Sequence, residues 1–225
     1  MWLKTKGGDW PDDFLLRTNS AQPVTPLIEQ TLIASKVPQG TLVKILDVGS
    51  GPLTNVGGQS SHYNVEVSAI DPLADEYNRL LDLYGIEPPN RTIKGEAEQL
   101  DGLFSAHSFD IVWASNSLDH SYNPLLGLHQ IFRVLKIGGQ LVLTFHRNEA
   151  DYGGYQGLHN WNFDMRGGDF IVEHRGDIVN IFDILRPFTA IDILLKQDSN
   201  AFKSKVIIAF EKRRDFSTLQ PFADN

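Results

Sequence analysis

The residues able to do chemistry collect where apolar runs stop. Lys44-Ile45-Leu46-Asp47-Val48 runs straight into Gly49-Ser50-Gly51-Pro52, with two glycines one residue apart. Glycine permits a tight turn and lets a backbone approach a ligand with no Cβ in the way. Asp71 lies 24 positions beyond Asp47 and closes the alternating run 65–71. A carboxylate at such a strand end can accept hydrogen bonds from both hydroxyls of a ribose. Glycine turn plus acid therefore points to an adenosine-bearing ligand. A dinucleotide fingerprint would need a third glycine, and Pro52-Leu53-Thr54 stands in its place. That favours a ligand without phosphates.

A second group of reactive residues follows the apolar run 140–145, which ends at His146. Histidine can titrate near neutral pH and could act as a general base toward a hydroxyl. His120, Glu149 and His159 are the next candidates for that role. His146, Glu149 and His159 could instead gather a divalent metal, since imidazole and carboxylate are competent ligands. Their spacing matches no recognised metal pattern, so no metal is expected.

These residues need a scaffold that brings strand ends together. The runs 44–48, 65–71, 91–95, 109–114 and 140–145 read as strands alternating with helices. Thr25-Pro26 caps a helix that ends before Pro38, and residues 73–84 form a helical face closed by Gly85. A third helix begins at Asn123-Pro124, with Leu125, Leu128, Phe132 and Leu135 on its inner face, and is expected to stop at Gly138-Gly139. The first crossover, residues 53–64, is short and contains Gly57-Gly58, so its helix must be short or distorted.

The fold expected is α/β: a Rossmann-like, doubly wound, mostly parallel seven-stranded sheet with a C-terminal antiparallel hairpin. One domain is expected over 1–225. It divides into an N-terminal arm and helix (1–40), a ligand-binding core (41–147), a polar and aromatic insertion (148–176), a closing helix and hairpin (177–215) and a tail (216–225). Trp2, Trp10 and Phe14 should tie down an otherwise irregular arm. The insertion starts at the carboxyl edge of the sheet, where a lid or substrate wall would stand. Tyr152, Tyr155 and Trp161 could line it, and a loop that merely covers the sheet is the plainer alternative.

Composition sets the outer limits. The chain has 225 residues, 41% apolar and 21% charged, and no cysteine, so disulfides and thiolate zinc sites are excluded. A formal charge of −8 argues against broad binding to nucleic acid, because no excess of Lys and Arg is available to neutralise phosphates. No run suggests a signal peptide or a membrane span, and a cytoplasmic location is the default expectation.

Four blocks in order resemble the class I S-adenosylmethionine-dependent methyltransferases, of the broad small-molecule group. They are Ile45-Leu46-Asp47-Val48-Gly49-Ser50-Gly51-Pro52, then Ala69-Ile70-Asp71, then Gly95-Glu96-Ala97-Glu98-Gln99-Leu100 with Ser108-Phe109-Asp110-Ile111-Val112, and Phe132-Arg133-Val134-Leu135-Lys136-Ile137-Gly138-Gly139. The resemblance covers residues 42–147. It implies S-adenosylmethionine as cofactor, with Asp47 and Ser50 in the cofactor site, Gly49 and Gly51 against the methionine part, and Asp71, followed by Pro72, at the ribose. It further implies Glu96 near the adenine amino group, the Ala97 amide near the ring, and Asn116 on the methionine and substrate side. Leu118-Asp119-His120 resembles a packing motif of the family. Ile137 replaces the proline usual before the paired glycines, a harmless departure. Structural roles stay open for Asp47, Glu96, Glu98 and Asn116.

The reading is methyl transfer to a small molecule, with a hydroxyl oxygen of a sugar-like or other polar metabolite as acceptor and nitrogen next. Neither a nucleic acid nor a membrane partner is expected. In-line alignment of nucleophile and methyl carbon would supply much of the rate, and an aromatic wall could shield the sulfonium by cation–π contact. Two alternatives are a nicotinamide-dependent oxidoreductase on a similar sheet and a cofactor-binding subunit without catalysis.

Overall fold

The computed structural model describes residues 1–8, 11–196 and 204–215. Helix α1 (Pro11–Arg17) lies within the arm that was expected to be irregular. Its buried Phe14 meets Trp2 edge-on at 5.4 Å, so aromatic contact does hold the arm. Arg17 adds a hydrogen bond from Nη1 to the Leu53 carbonyl at 2.9 Å. Trp10 and residues 216–225 lie outside the described residues, so the expectations placed on them are not addressed. Helix α2 (Pro26–Ala34) starts where Thr25 and Pro26 predict, with the Thr25 hydroxyl accepting from the Ile28 amide.

Strand β1 (Leu42–Val48) pairs in parallel with β2 (Asn64–Asp71). No helix joins them, which corrects the expectation of a short crossover helix. Residues 49–63 form a loop whose Leu53 and Val56 are fully buried. The N-terminal segment is laced to this loop: Val24 donates to Gln59 and Thr25 to Val56, at 2.8 and 2.9 Å. Gly57 makes the lacing possible, because a Cβ there would stand 2.0 Å from the Pro23 carbonyl oxygen. Backbone hydrogen bonds that a crossover helix would have made internally are thus made to a neighbouring strand of chain.

Helix α3 (Ala74–Leu83) leads to β3 (Ile93–Lys94), shorter than the 91–95 run suggests. Strand β4 (Phe109–Ser115) precedes helix α4 (Pro124–Val134), capped by the Asn123 side chain. The helix ends at Val134, not at the paired glycines, since Leu135 already begins β5 (Leu135–His146). Gly138 and Gly139 serve the strand. A Cβ on Gly139 would come within 2.9 Å of the Asp110 carbonyl, so a larger residue could not approach β4 this closely.

The insertion is folded, and it runs past its expected end at 176, because residues 177–180, expected to belong with the closing helix and hairpin, pair with its second strand. Helix α5 (Glu149–Gly153) is followed by β6 (Asn162–Arg166), β7 (Asp169–His174) and β8 (Asp177–Asn180), which form a separate antiparallel sheet in the order β6-β7-β8. Phe163 and Phe170 on its inner face are buried against Phe145, with ring centroids 5.5 and 5.1 Å away. A plain covering loop is therefore the wrong picture: alternating apolar residues give this segment its own inner face, each buried Phe contributing roughly 1.5–3 kcal/mol. Helix α6 (Ile181–Leu185) packs on β7.

The chain closes with β9 (Thr189–Lys196) and β10 (Lys205–Lys212), an antiparallel pair as expected. The main sheet runs β3-β2-β1-β4-β5-β10-β9, parallel except for β10 and β9. The strand order reverses between β1 and β4, so the carboxyl ends of β1, β2 and β4 border the crevice where open α/β sheets bind ligands. Among the described residues, no helix is long and apolar enough to cross a membrane.

Candidate active site

The turn after β1 is held from below and from the side. Gly49 and Ser50 both donate to the Ile70 carbonyl, at 2.9 and 3.0 Å. Gly49 has φ +73°, and a Cβ there would lie 2.3 Å from the Ser117 Cβ, so both backbone geometry and contact demand glycine. Gly51 has φ +66° and open space where its Cβ would point. Its amide donates to Asp71 Oδ2 at 3.0 Å, while the Leu73 amide donates to Oδ1 at 2.9 Å. Asp71 thereby clamps the glycine turn to the end of β2.

Two predicted site residues point inward. The Ser50 hydroxyl is buried against Thr92 Oγ1 at 3.1 Å, and Thr92 also donates to the Gly51 carbonyl at 2.9 Å. Asp47 is buried and accepts from Thr54 Oγ1 at 2.5 Å. Burial pushes its carboxyl up to about 7, opposed by the Thr54 hydrogen bond. Their side chains support the turn, and only their backbone can face a ligand. Pro72 is exposed beside Asp71 and carries no polar side chain.

Along the adjoining edge, Glu96 is half-buried and accepts from Gln99 Nε2 at 3.0 Å, whereas Ala97 is buried against α4. Glu98 proves structural, its Oε1 accepting from the Asn123 amide at the start of α4 at 2.9 Å. Asn116 follows β4 in the left-handed region, φ 52°. Its amide donates to the Thr144 carbonyl at 2.8 Å and its Oδ1 accepts from the His146 amide at 3.3 Å. The ends of β4 and β5 are thus tied together by Asn116.

Beyond that tie the fold gathers three of the four candidate bases. His120, Glu149 and His159 each present one ligand-type atom, all within 4.8 Å of one another. The His120 and His159 rings meet edge-on at 4.8 Å. Asp119, noted in the sequence only as part of a packing motif, joins them: His120 Nε2 stands 3.5 Å from Asp119 Oδ2 and 3.6 Å from Glu149 Oε2, longer than good hydrogen bonds. Burial pushes the Asp119 carboxyl up, and Glu149 adds to it. Burial works against ionised Glu149 too, but His120 and Asp119 outweigh it and hold the group down to about 2. Glu149 in turn raises His120 against the effect of burial. His146 stands at the edge of this group through Asn116 rather than inside it.

Two members of the predicted aromatic wall meet at His174, whose ring centroid lies 5.0 Å from Trp161 and 6.0 Å from Tyr155. Trp161 donates from Nε1 to the Ser121 carbonyl at 3.0 Å, next to the His120 turn. Tyr155 also faces Arg175, whose guanidinium carbon is 5.2 Å from the ring centre, and Tyr152 is exposed. Tyr152 lines a cleft of about 630 Å³ with Arg147, Asn148, Asp151, Asp164 and Arg166. None of these residues belongs to β1, β2 or β4, so the cleft is not the crevice of the glycine turn. Its walls are committed to each other, Arg147 donating to Asp164 at 2.5 Å.

Residues 46–143 match the family model described as a methyltransferase domain. That stretch is similar to the methyltransferase family and runs from the end of β1 through most of β5. Relatives agree with the placement. The chain is 32% identical over 110 residues to a sarcosine/dimethylglycine N-methyltransferase of Aphanothece halophytica, a stretch covering 48% of this chain and 38% of that protein. The chain therefore spans well under half the length of the curated relative it matches. Among solved structures, the CurJ carbon methyltransferase superposes with a TM-score of 0.53 at 15% identity, covering 94% of this chain and 66% of that one. An S-adenosylmethionine-dependent methyltransferase of Methanosarcina mazei gives 0.50 at 17% identity, covering 85% and 99%. At these identities the structures speak for the fold alone.

S-adenosylmethionine is the cofactor the methyltransferase domain implies, and the residues present fit it. Each Asp71 oxygen accepts one backbone amide and keeps a second lone pair, enough for two ribose hydroxyls. Open space at Gly51 leaves the methionine side accessible to a ligand. Glu96 and the Ala97 amide border the same edge, and Asn116 bounds the domain's crevice toward β5.

Proposed function

We propose that this chain transfers a methyl group from S-adenosylmethionine to a hydroxyl oxygen of a small polar acceptor. The observation that carries the reading is the clamp of Asp71 on the Gly51 amide at the switch point of the sheet, with His120, Glu149 and His159 gathered beyond Asn116 and His146 tied to Asn116 through its amide. When bound, the cofactor supplies an electrophilic methyl carbon on a good leaving group. Asp71 would hold the ribose, Glu96 the adenine edge, and Gly49 and Gly51 the methionine end, fixing the line along which a nucleophile must approach. His146 would take the acceptor proton, with Glu149 and His159 placed to orient the acceptor. The chain's net acidity supports a small acceptor over nucleic acid.

A nitrogen acceptor is the second reading. It is favoured by the relative whose name specifies N-methylation of sarcosine and dimethylglycine.

The test is calorimetric titration with S-adenosylmethionine, its demethylated product and NAD, followed by methyl transfer to panels of hydroxyl and amine acceptors. Binding of the first two ligands and turnover of hydroxyl compounds is the expected result. Turnover confined to amines would move the acceptor to nitrogen. Binding of NAD alone would replace the reading with an oxidoreductase, and tight cofactor binding without turnover on any panel would favour a non-catalytic subunit.

A further inference from the structure

We infer that His120, Glu149 and His159 form a binding site for one divalent transition-metal ion beside the acceptor side of the crevice. Three observations converge. One ligand atom from each residue lies within 4.8 Å of the others. Both carboxylate oxygens of Asp119, a residue only 2% exposed, lack a hydrogen-bond partner among the described residues. His159 Nδ1, His120 Nε2 and Glu149 Oε2 are buried and lack one as well. Buried polar atoms normally find partners, and stranding them costs about 1–3 kcal/mol each. Here His120 Nε2 faces Asp119 Oδ2 and Glu149 Oε2 at 3.5 and 3.6 Å, near enough for charge to act between them but too far for good hydrogen bonds.

The donor set defines the ion. Two imidazoles and one carboxylate suit zinc or another first-row ion better than magnesium or calcium, which prefer oxygen ligands. Around a tetrahedral zinc the ligand atoms sit roughly 3.4 Å apart, given metal–nitrogen bonds of about 2.0–2.1 Å. Binding therefore requires the ligand atoms of the three residues, now within 4.8 Å of one another, to close in. Their backbones are well anchored: His120 follows the turn beside Asn116, Glu149 opens α5, and His159 packs tightly on Gly153, where a Cβ would lie 2.9 Å from its own. Asp119 is placed as a fourth ligand or as the partner that orients His120. Three protein ligands would leave a coordination position for an acceptor oxygen or water.

The site requires no cofactor. Only its consequence, an ion facing the acceptor, rests on the proposed methyl transfer. Chelator-treated full-length protein is titrated with Zn²⁺ by calorimetry and with Co²⁺ by visible absorption, and S-adenosylmethionine is titrated separately on the same preparation. One ion per chain is expected, with a tetrahedral cobalt spectrum, and Glu149→Gln and His159→Asn should each weaken binding at least about tenfold. His62→Asn, far from the cluster in sequence, should not. Absence of saturable binding to the wild-type chain overturns the site, as does binding that persists undiminished in a folded Glu149→Gln variant. Failure of S-adenosylmethionine to bind would instead count against the functional reading and leave the ion measurement standing.

Discussion

At the ends of β1 and β2 the buried polar side chains have found partners, whereas at the ends of β4 and β5 several have not. Asp71 accepts two backbone amides, Ser50 meets Thr92, and Asp47 meets Thr54. Across the crevice Asp119 and His159 Nδ1 are buried with no hydrogen bond among the described residues. The first region is a prebuilt cradle whose shape does not wait for a ligand. The second is a set of donors held close by the fold and left for something else to complete. The contrast suits a shared cofactor chemistry on one side and a specific acceptor on the other.

The comparison can be broken most forcefully at Asp71. Asp71→Ala should weaken S-adenosylmethionine binding by on the order of a hundredfold, because it removes the ribose acceptor and strands the Gly51 amide. Unchanged affinity by calorimetry would withdraw the ribose assignment. His146→Ala tests the other side: turnover should fall by about tenfold to a hundredfold while cofactor affinity holds, the behaviour of a proton acceptor. Should turnover be unaltered, His146 is structural and the base lies elsewhere.

A third prediction concerns pH. The folded Asp47 carboxyl is raised from 3.8 to about 7 by burial, so between those values the unfolded chain sheds a proton that the folded chain keeps. Its contribution to stability is therefore full below the unfolded pKa and is lost as pH rises through that window. Asp119 acts in the same direction. Asp47→Asn should shrink the fall in melting temperature from about pH 4 to 7, read by thermal unfolding at stepped pH. An unchanged slope would mean that Asp47 is ionised in the folded protein. The smallest effect is expected of Glu96→Gln. This half-buried group should change cofactor affinity by less than about tenfold, and a larger loss would make the adenine edge as decisive as the ribose.

Much of this arrangement is legible from residue types. Strands ending in glycine or acid, the Asn123-Pro124 helix start and the closing antiparallel pair all mark real elements, because local periodicity and capping act within a few residues. The same locality explains the failures. Gly57-Gly58 suggested a distorted helix, but lacing to residues 22–25 replaced helix with loop. Gly138-Gly139 looked like a helix stop and instead admits β5 close to β4. The insertion reads as a lid or substrate wall with no strands of its own, because its short strands pair with each other and their packing of Phe163 and Phe170 against Phe145 is not a local pattern.

The candidate site divides in the same way. Glycine turn and Asp71 were readable, since they lie on adjacent strands whose order follows from the alternation of elements. The grouping of His120, Glu149 and His159 was not, because their spacing matches no motif. The placement of β4 beside β5 would have predicted that His120 and Glu149 meet. Sequence alone thus determined which strands end in glycine, acid or histidine, as short-range patterning defines where each strand stops. Only the tertiary structure decided which side chains turn inward and which converge, because burial and contact across elements depend on packing that no local pattern encodes.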